Sequence, residues 1–244
     1  MMQFSGKGIL LDIEGTTSSV SFVYDEMFPF VRRELDSFLA AQWDDVDVQL
    51  ACEQIANDAG HASIAAWCGQ DASEESRKAA VSAEVARLMD NDVKATGLKS
   101  LQGVIWRSGF ESGELLAHVY DDVPAALKAW NEAGLDVRIY SSGSVQAQLL
   151  FFGHTVHGNL LNQFKGHYDT MVGSKKEAHS YTQIANEFKL EPSEILFLSD
   201  VPAELDAART AGMRTGLCVR PGNAQVSDKN GHDQLTDFAQ VELT

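Results

Sequence analysis

The chain has 244 residues, of which 44% are apolar and 22% are charged, as is typical of a folded globular protein. It carries 35 Asp and Glu residues against 19 Lys and Arg, a net charge of -16, which excludes nucleic acid and anionic membrane surfaces as partners because both are bound through clustered basic side chains. No apolar stretch approaches the roughly 20 residues that span a bilayer. Residues 1–8 lack the features of a signal peptide, so we expect a cytoplasmic protein.

The first element in chain order is a short apolar run over residues 9–13, which carries a carboxylate near its end and is followed by Gly15. This pattern predicts a buried strand. From Phe22 to about Gly103, apolar residues recur at helical spacing, without the alternation that a strand pair requires. We therefore predict an all-helical insertion, with helices over residues 22–39, 46–59 and 73–89.

From Asp121 onward, predicted strands and helices alternate along the chain. The strands are expected at residues 135–140, 168–172, 195–199 and 215–219, and the helices at 124–134, 144–152, 177–189 and 203–211. Such alternation predicts an α/β fold with a doubly wound, Rossmann-like parallel sheet. The predicted domains are a catalytic core of residues 1–20 and 120–244 and a helical cap of residues 21–119.

Polar side chains follow the predicted strands at the points where these strands end. They are Asp12 and Glu14, Ser141 and Ser142, Lys175 and Lys176, and Asp200. Each of them alone has an ordinary explanation as a turn, a helix cap or a solvated surface residue. Together they are expected at the carboxyl edge of one parallel sheet, which is where such sheets bind ligands.

The chemistry of these side chains suits a phosphate ester. Two carboxylates from separate strands can share a divalent cation, which prefers hard oxygen ligands. A hydroxyl and the amides of a helix N-terminus donate hydrogen bonds to phosphate oxygens, and a lysine adds a positive charge. An alkoxide leaving group needs an acid within hydrogen-bond reach, whereas a halide needs no proton, so Glu14 favours an ester substrate.

The segment Asp12-Ile13-Glu14-Gly15-Thr16-Thr17 resembles the first motif of the haloacid dehalogenase superfamily of phosphotransferases, with Glu14 in place of the usual second Asp. The positions of Ser141, Lys175 and Asp200 match the later motifs in order. Further segments are similar to the enolase-phosphatase, or acireductone synthase, family of methionine salvage, and they extend the resemblance over nearly the whole chain. These segments begin at Gly103, Gly113, Tyr140, Phe197 and Val219. The Glu14 departure is itself typical of that family.

The resemblance implies catalytic and metal-binding roles. Asp12 is expected to be the nucleophile and a Mg2+ ligand. Glu14 is expected to act as the general acid for the leaving alcohol, then as the base for the attacking water, and its backbone carbonyl is expected to bind the same metal. Asp200 completes the protein ligands of Mg2+, the only cofactor that the resemblance implies.

The resemblance also implies how the phosphate is held. Ser141, Ser142 and Gly143 are expected to bind the phosphate oxygens. Lys175 is expected to neutralise the aspartyl-phosphate, because it aligns with the family's lysine better than Lys176 does. The choice between these two lysines stays open from the sequence.

The implied reaction converts 2,3-diketo-5-methylthiopentyl-1-phosphate into its enol, then hydrolyses the enol phosphate to the acireductone 1,2-dihydroxy-3-keto-5-methylthiopentene and phosphate. A monomer is expected. One alternative is a phosphatase that acts on another small phosphorylated metabolite. Another is a non-catalytic binder of phosphorylated ligands, which the nucleophile Asp12 argues against.

Trp106 and Arg107 lie near the predicted end of the helical insertion. They are candidates for contact with the carbon skeleton of the substrate. They are equally compatible with a packed aromatic ring and a surface charge.

Overall fold

The computed structural model describes residues 1–226 and 231–244. The chain folds into two compact units, one made of residues 1–23 and 116–244 and the other of residues 24–115. These junctions fall a few residues from the predicted ones. At the first junction, helix α1 (Val20–Phe22) continues without a loop into the π-helix Val23–Met27, so no sequence break marks the boundary.

The second unit, residues 24–115, is helical throughout. It contains α2 (Phe28–Gln42), α3 (Val46–Asp58), α4 (Ile64–Cys68), α5 (Glu74–Asp90) and α6 (Thr96–Ser112). Three of the helices begin where a side chain accepts backbone N–H groups: Asp45 caps α3, Ser63 caps α4 and Ser73 caps α5. The predicted helices at residues 22–39, 46–59 and 73–89 correspond to α2, α3 and α5, whereas α4 and α6 were not predicted.

The first unit is built around a parallel sheet of six strands in the order β4-β3-β2-β5-β6-β7, and a separate parallel pair joins β1 to β8. The strands are β1 (Met2–Phe4), β2 (Gly8–Leu11), β3 (Asp136–Tyr140), β4 (Gly166–Tyr168), β5 (Ile195–Ser199), β6 (Arg214–Cys218), β7 (Asp233–Leu235) and β8 (Val241–Leu243). The predicted doubly wound α/β fold is confirmed.

The helices of the first unit connect these strands. They are α7 (Asp122–Glu132), α8 (Val145–Gly153), α9 (Ala178–Phe188) and α10 (Pro202–Thr210), with 3-10 turns at Leu161–Gln163, Pro192–Glu194 and Phe238–Gln240. Strands β2 and β5 are apolar along their length and fully buried, as expected of central parallel strands with helices on both faces. None of the helices among the described residues is long and apolar enough to cross a membrane.

The strand predicted at residues 168–172 is wrong, because the strand ends at Tyr168. Asp169 then ends the extended conformation: its Oδ1 accepts the N–H of Met171 at 2.9 Å, and its Oδ2 accepts the N–H of Val145 at 3.1 Å. An Asp that accepts a hydrogen bond from the residue two positions later forms a turn in place of a strand.

The strand order fixes where a ligand site forms. From β2 the chain proceeds to β3 and β4 on one side, then returns to β5 on the other side of β2. The loops that follow β2 and β5 therefore diverge and leave a crevice at the carboxyl ends of these two strands. Asp12 directly follows β2, and Asp200 directly follows β5.

Candidate active site

A buried lysine contacts two carboxylates at the carboxyl edge of the sheet. Lys175 Nζ lies 2.6 Å from Asp12 Oδ1 and 2.7 Å from Glu204 Oε2. Ser199 Oγ lies 3.2 Å from Asp12 Oδ2 and 3.1 Å from Glu204 Oε2, so its hydroxyl hydrogen can serve either carboxylate. The three charged residues are 5%, 6% and 8% exposed for Asp12, Lys175 and Glu204, so solvent screens these contacts little.

The carboxylates outnumber the ammonium groups at this site. Burial, followed by repulsion from Asp12 and Glu204, raises the pKa of Asp200 to about 7. Burial and the Asp12 charge also raise the pKa of Glu204. Burial opposes the charge of Lys175, but the two carboxylates outweigh it and the pKa of the ammonium is raised. The site therefore holds excess negative charge, which a bound cation would offset.

The turn after β2 packs directly against Asp200. Gly15 has φ = +70°, and a Cβ at this position would lie 2.3 Å from Asp200 Oδ2. Only glycine tolerates both the backbone conformation and the close approach. Before this glycine, the Ile13 N–H donates to Asp12 Oδ1 at 2.8 Å, and Glu14 is exposed. The carboxylate predicted as the nucleophile is thus fixed, while the predicted acid/base, Glu14, remains accessible to water.

Three successive backbone carbonyls of this turn accept hydrogen bonds from residues outside the turn. The carbonyl of Gly15 accepts from Asn223 Nδ2 at 2.9 Å. The carbonyl of Thr16 accepts from Arg220 Nε at 3.1 Å, and that of Thr17 from the Tyr120 N–H at 3.0 Å.

Arg220 is itself fixed. Its terminal nitrogens bind both oxygens of Asp122 at 3.0 and 2.8 Å, and its guanidinium lies against the rings of Tyr120 and Phe238. A buried guanidinium with this bidentate partner is a rigid support. The turn is therefore positioned by residues from the far end of the chain.

Ser141 follows β3 and is buried, whereas Ser142 and Gly143 are exposed. The N–H of Gly143 donates to Ser141 Oγ at 3.3 Å, and Gln148 Nε2 donates to the Gly143 carbonyl at 2.8 Å. Ser144 then caps helix α8. The predicted phosphate-binding residues therefore lie at the N-terminus of a nine-residue helix, whose dipole favours an anion.

The loop that carries Lys175 is pinned by hydroxyl groups. Tyr140 Oη donates to the Gly173 carbonyl at 3.0 Å, Ser180 Oγ to the Ser174 carbonyl at 2.8 Å, and Tyr181 Oη to the Lys175 carbonyl at 2.6 Å. The neighbouring lysine, Lys176, is exposed. Of the two lysines left open by the sequence, Lys175 is the one that contacts Asp12.

The donor set fits a hard cation. Asp12 and Asp200 offer carboxylate oxygens at the carboxyl ends of two neighbouring strands, β2 and β5. Mg2+ prefers such oxygen ligands and retains several waters. Within residues 1–226 and 231–244, no three His, Cys, Asp or Glu side chains converge as a metal site.

The sequence analysis missed Glu204. It lies four residues after Asp200, in the first turn of α10, and its sequence context indicates only a helix. Asp200 precedes the helix and Glu204 lies in its first turn, a spacing that the sequence alone does not mark as a shared site. Asn223 and Arg220 lie in a segment that carried the family resemblance, but no role was predicted for either.

Trp106 and Arg107 have partners within the helical unit. Trp106 Nε1 donates to the Met27 carbonyl at 2.9 Å. Arg107 Nη2 lies 2.9 Å from Asp47 Oδ2, in a partly exposed ion pair. Both contacts fit the structural interpretation of these two residues.

The chain is similar to known proteins in sequence and in structure. It matches the haloacid dehalogenase-like hydrolase family over residues 7–212. Enolase-phosphatase E1 of Drosophila melanogaster is 43% identical over 234 residues, which cover 95% of this chain and 91% of that protein. The crystal structure of UTR4 protein from Saccharomyces cerevisiae has a TM-score of 0.77 at 33% identity, covering 97% of this chain and 100% of that one. CbbY from Rhodobacter sphaeroides, with a TM-score of 0.57 and 15% identity over 98% and 97% of the chains, shares the fold alone.

Proposed function

Since this chain belongs to the enolase-phosphatase family of haloacid dehalogenase-like hydrolases, we propose that it enolises 2,3-diketo-5-methylthiopentyl-1-phosphate and hydrolyses the enol phosphate to the acireductone and phosphate. The main support for the hydrolysis step is the buried contact of 2.6 Å between Asp12 Oδ1 and Lys175 Nζ. A carboxylate held beside an ammonium at a topological switch point is suited to attack a phosphoryl group, and a simple binding site needs no such nucleophile.

In the first hydrolytic step, a carboxylate oxygen of Asp12 attacks phosphorus. The bond from phosphorus to the substrate oxygen breaks, and Glu14 gives its proton to that oxygen. The acireductone leaves with that proton, and the phosphoryl group stays on the protein as an aspartyl-phosphate. Splitting the displacement in this way replaces one difficult step by two easier ones.

In the second step, Glu14 takes a proton from water. The water oxygen bonds to phosphorus, the bond to Asp12 breaks, and Asp12 is regenerated as phosphate leaves. The exposure of Glu14 supports this role, because a base for water must be reached by water.

The phosphoryl group needs donors and positive charge throughout both steps. We assign the hydroxyl of Ser141 and the backbone of Ser142 and Gly143 to its oxygens, at the start of helix α8. Lys175 offsets the charge of the aspartyl-phosphate from its contact with Asp12.

We assign Mg2+ to Asp12, Asp200 and the Glu14 carbonyl. When bound there, it offsets negative charge on the transferring phosphoryl group. We also propose that the enzyme works as a monomer in the cytoplasm. The contacts among Asp12, Lys175 and Glu204 are complete within one chain, and the three cysteines, Cys52, Cys68 and Cys218, are free thiols.

The test compares substrates on the purified chain, with and without Mg2+. Phosphate release is measured with the diketone phosphate and with a panel of sugar phosphates. We expect kcat/KM for the diketone phosphate to exceed that for each sugar phosphate at least tenfold, or about 1.4 kcal/mol. Equal values across the panel would favour the general phosphatase, and no turnover of any ester would favour the binding protein.

A further inference from the structure

The side chain of Asn223 has a fixed orientation. Its Nδ2 donates to the Gly15 carbonyl at 2.9 Å and to the Cys218 carbonyl at 3.2 Å. Both amide hydrogens are therefore used, and exchanging the amide nitrogen and oxygen would set an oxygen against two carbonyl oxygens.

The other end of this amide lacks a partner. Asn223 Oδ1 is buried, and no donor within residues 1–226 and 231–244 reaches it. A buried acceptor without a donor is costly, so a partner from outside the protein chain is expected.

The position of Gly15 shows where that partner lies. A Cβ on Gly15 would lie 3.0 Å from Asn223 Oδ1 and 2.3 Å from Asp200 Oδ2. The two oxygens are therefore separated by no more than the sum of these two distances, close enough for a single water molecule to donate a hydrogen bond to each. One of these oxygens belongs to a carboxylate assigned to the cation.

We propose that Asn223 belongs to the cation site, and that its Oδ1 accepts a hydrogen bond from a water of the hydrated Mg2+ held by Asp200. The inference rests on the proposed function, because it requires the cation. Mg2+ keeps several of its waters in proteins, and these waters need acceptors. Removing such an outer partner typically weakens metal affinity 10- to 100-fold.

The competing interpretation is that Asn223 only supports the turn, through its donation to the Gly15 carbonyl. Two substitutions separate the two interpretations. Asn223→Ala removes both the donor and the acceptor. Asn223→Asp keeps the shape and an acceptor oxygen, adds a negative charge and loses the donor, so an Asp variant that binds Mg2+ no better than Asn223→Ala would leave the acceptor oxygen without a role.

The experiment is calorimetric titration of Mg2+ into the full chain at about pH 8, where a carboxylate at position 223 is ionised. We expect Asn223→Ala to bind Mg2+ at least tenfold more weakly than wild type, and Asn223→Asp to bind it at least tenfold more tightly than Asn223→Ala. The matched control is Asn131→Ala. Asn131 is also half-buried and donates to backbone carbonyls, those of Leu127 at 2.8 Å and Gln163 at 3.0 Å, so its loss should leave Mg2+ affinity unchanged.

Thermal melts without Mg2+ identify any variant that fails to fold, and Asn223→Ser replaces the Ala variant in that case. The inference is overturned if Asn223→Ala binds Mg2+ within threefold of wild type, or if Asn223→Asp binds it no better than Asn223→Ala. If wild type itself binds no Mg2+, the cation assignment of the proposed function is wrong and this inference falls with it. The two failures are therefore distinguishable.

Discussion

Three neighbouring groups contact the carboxylate of Asp12, each with a different effect. The ammonium of Lys175 offsets its charge, the N–H of Ile13 orients one of its oxygens, and Ser199 reaches the other. An amide in place of this carboxylate keeps the shape and leaves Lys175 its contact with Glu204. The fold therefore does not depend on the nucleophile's charge.

Asp12→Asn should lower phosphate release by about a thousandfold or more, because an amide is a poor nucleophile and a weaker metal ligand. Its melting temperature should stay within a few degrees of wild type. The assay is phosphate release, with mass spectrometry to exclude deamidation. Release within tenfold of wild type would rule out the covalent mechanism.

Lys175→Met should destabilise the fold by about 3–5 kcal/mol, since it leaves Asp12 and Glu204 buried without their cation. The control is Lys176→Met at the exposed neighbouring position, where a change within about 0.5 kcal/mol is expected. Urea unfolding measures both. Equal effects from the two variants would contradict the assignment of the buried ammonium.

Much of the candidate site could be predicted from the sequence at the level of single residues. Asp12 and Asp200 were found because each directly follows an apolar run, and Lys175 because a motif of known order contains it. Glu204 was missed because an acidic residue in the first turn of a helix is common and carries no signal of burial. Its contact with Lys175 arises only from the packing of α10 beside the preceding loop.

The turn between β2 and α1 is the element on which the site depends most. Its conformation at Gly15 is one that other residues adopt at a cost of roughly 1–2 kcal/mol. At position 15, an added Cβ would also overlap with Asp200, which is a further cost in folding free energy. The two costs can be measured separately, because other glycines of the chain have a positive φ without a close neighbour.

Gly15→Ala should therefore destabilise the protein more than Gly134→Ala. Gly134 has φ = +83°, and a Cβ added there would meet no atom within 4 Å, so it reports the backbone cost alone. We also expect Gly15→Ala, unlike its control, to weaken Mg2+ binding, because Asp200 must move. Chemical unfolding and calorimetric titration give the two quantities. Equal losses of stability with unchanged Mg2+ affinity would show that the turn does not press on Asp200.

Among the strands, the central ones were predictable and the peripheral ones were not. Strands β2 and β5 are almost entirely apolar because both faces of the sheet are buried there, and such a run is visible in the sequence. Strands β1, β7 and β8 have only three residues each and mix buried with exposed positions, which gives no usable periodicity. Their pairing depends on neighbours that are distant in sequence.

At the scale of the whole molecule, the excess of carboxylates links stability to pH. Burial, with repulsion from Asp12 and Glu204, raises the pKa of Asp200 to about 7, whereas an Asp in an unfolded chain titrates near about 4. Between these values the folded state holds a proton that the unfolded chain has lost. The contribution of Asp200 to stability is therefore present at low pH and is lost as pH rises through about 7.

In the presence of a chelator, the wild-type melting temperature should fall more steeply from about pH 5 to about pH 8 than that of Asp200→Asn. The comparison with this variant is needed because burial lowers the pKa of His118, His167 and His232. These histidines make the melting temperature rise with pH, opposite to the effect of Asp200. Calorimetric melts at several pH values provide the measurement. Parallel curves for the two proteins would show that Asp200 is ionised throughout.

The order of strands also has a consequence for synthesis. Gly8 of β2 pairs with Asp136 of β3 and with Ile195 of β5, so the strand that leads into Asp12 must wait for both partners to be translated. At a ribosomal rate of about 5–20 residues per second, the second partner follows after roughly 10–40 s. Residues 24–115 complete their own contacts well before then. Until β5 is made, the nascent chain therefore carries an apolar strand, β2, that lacks one of its two neighbours.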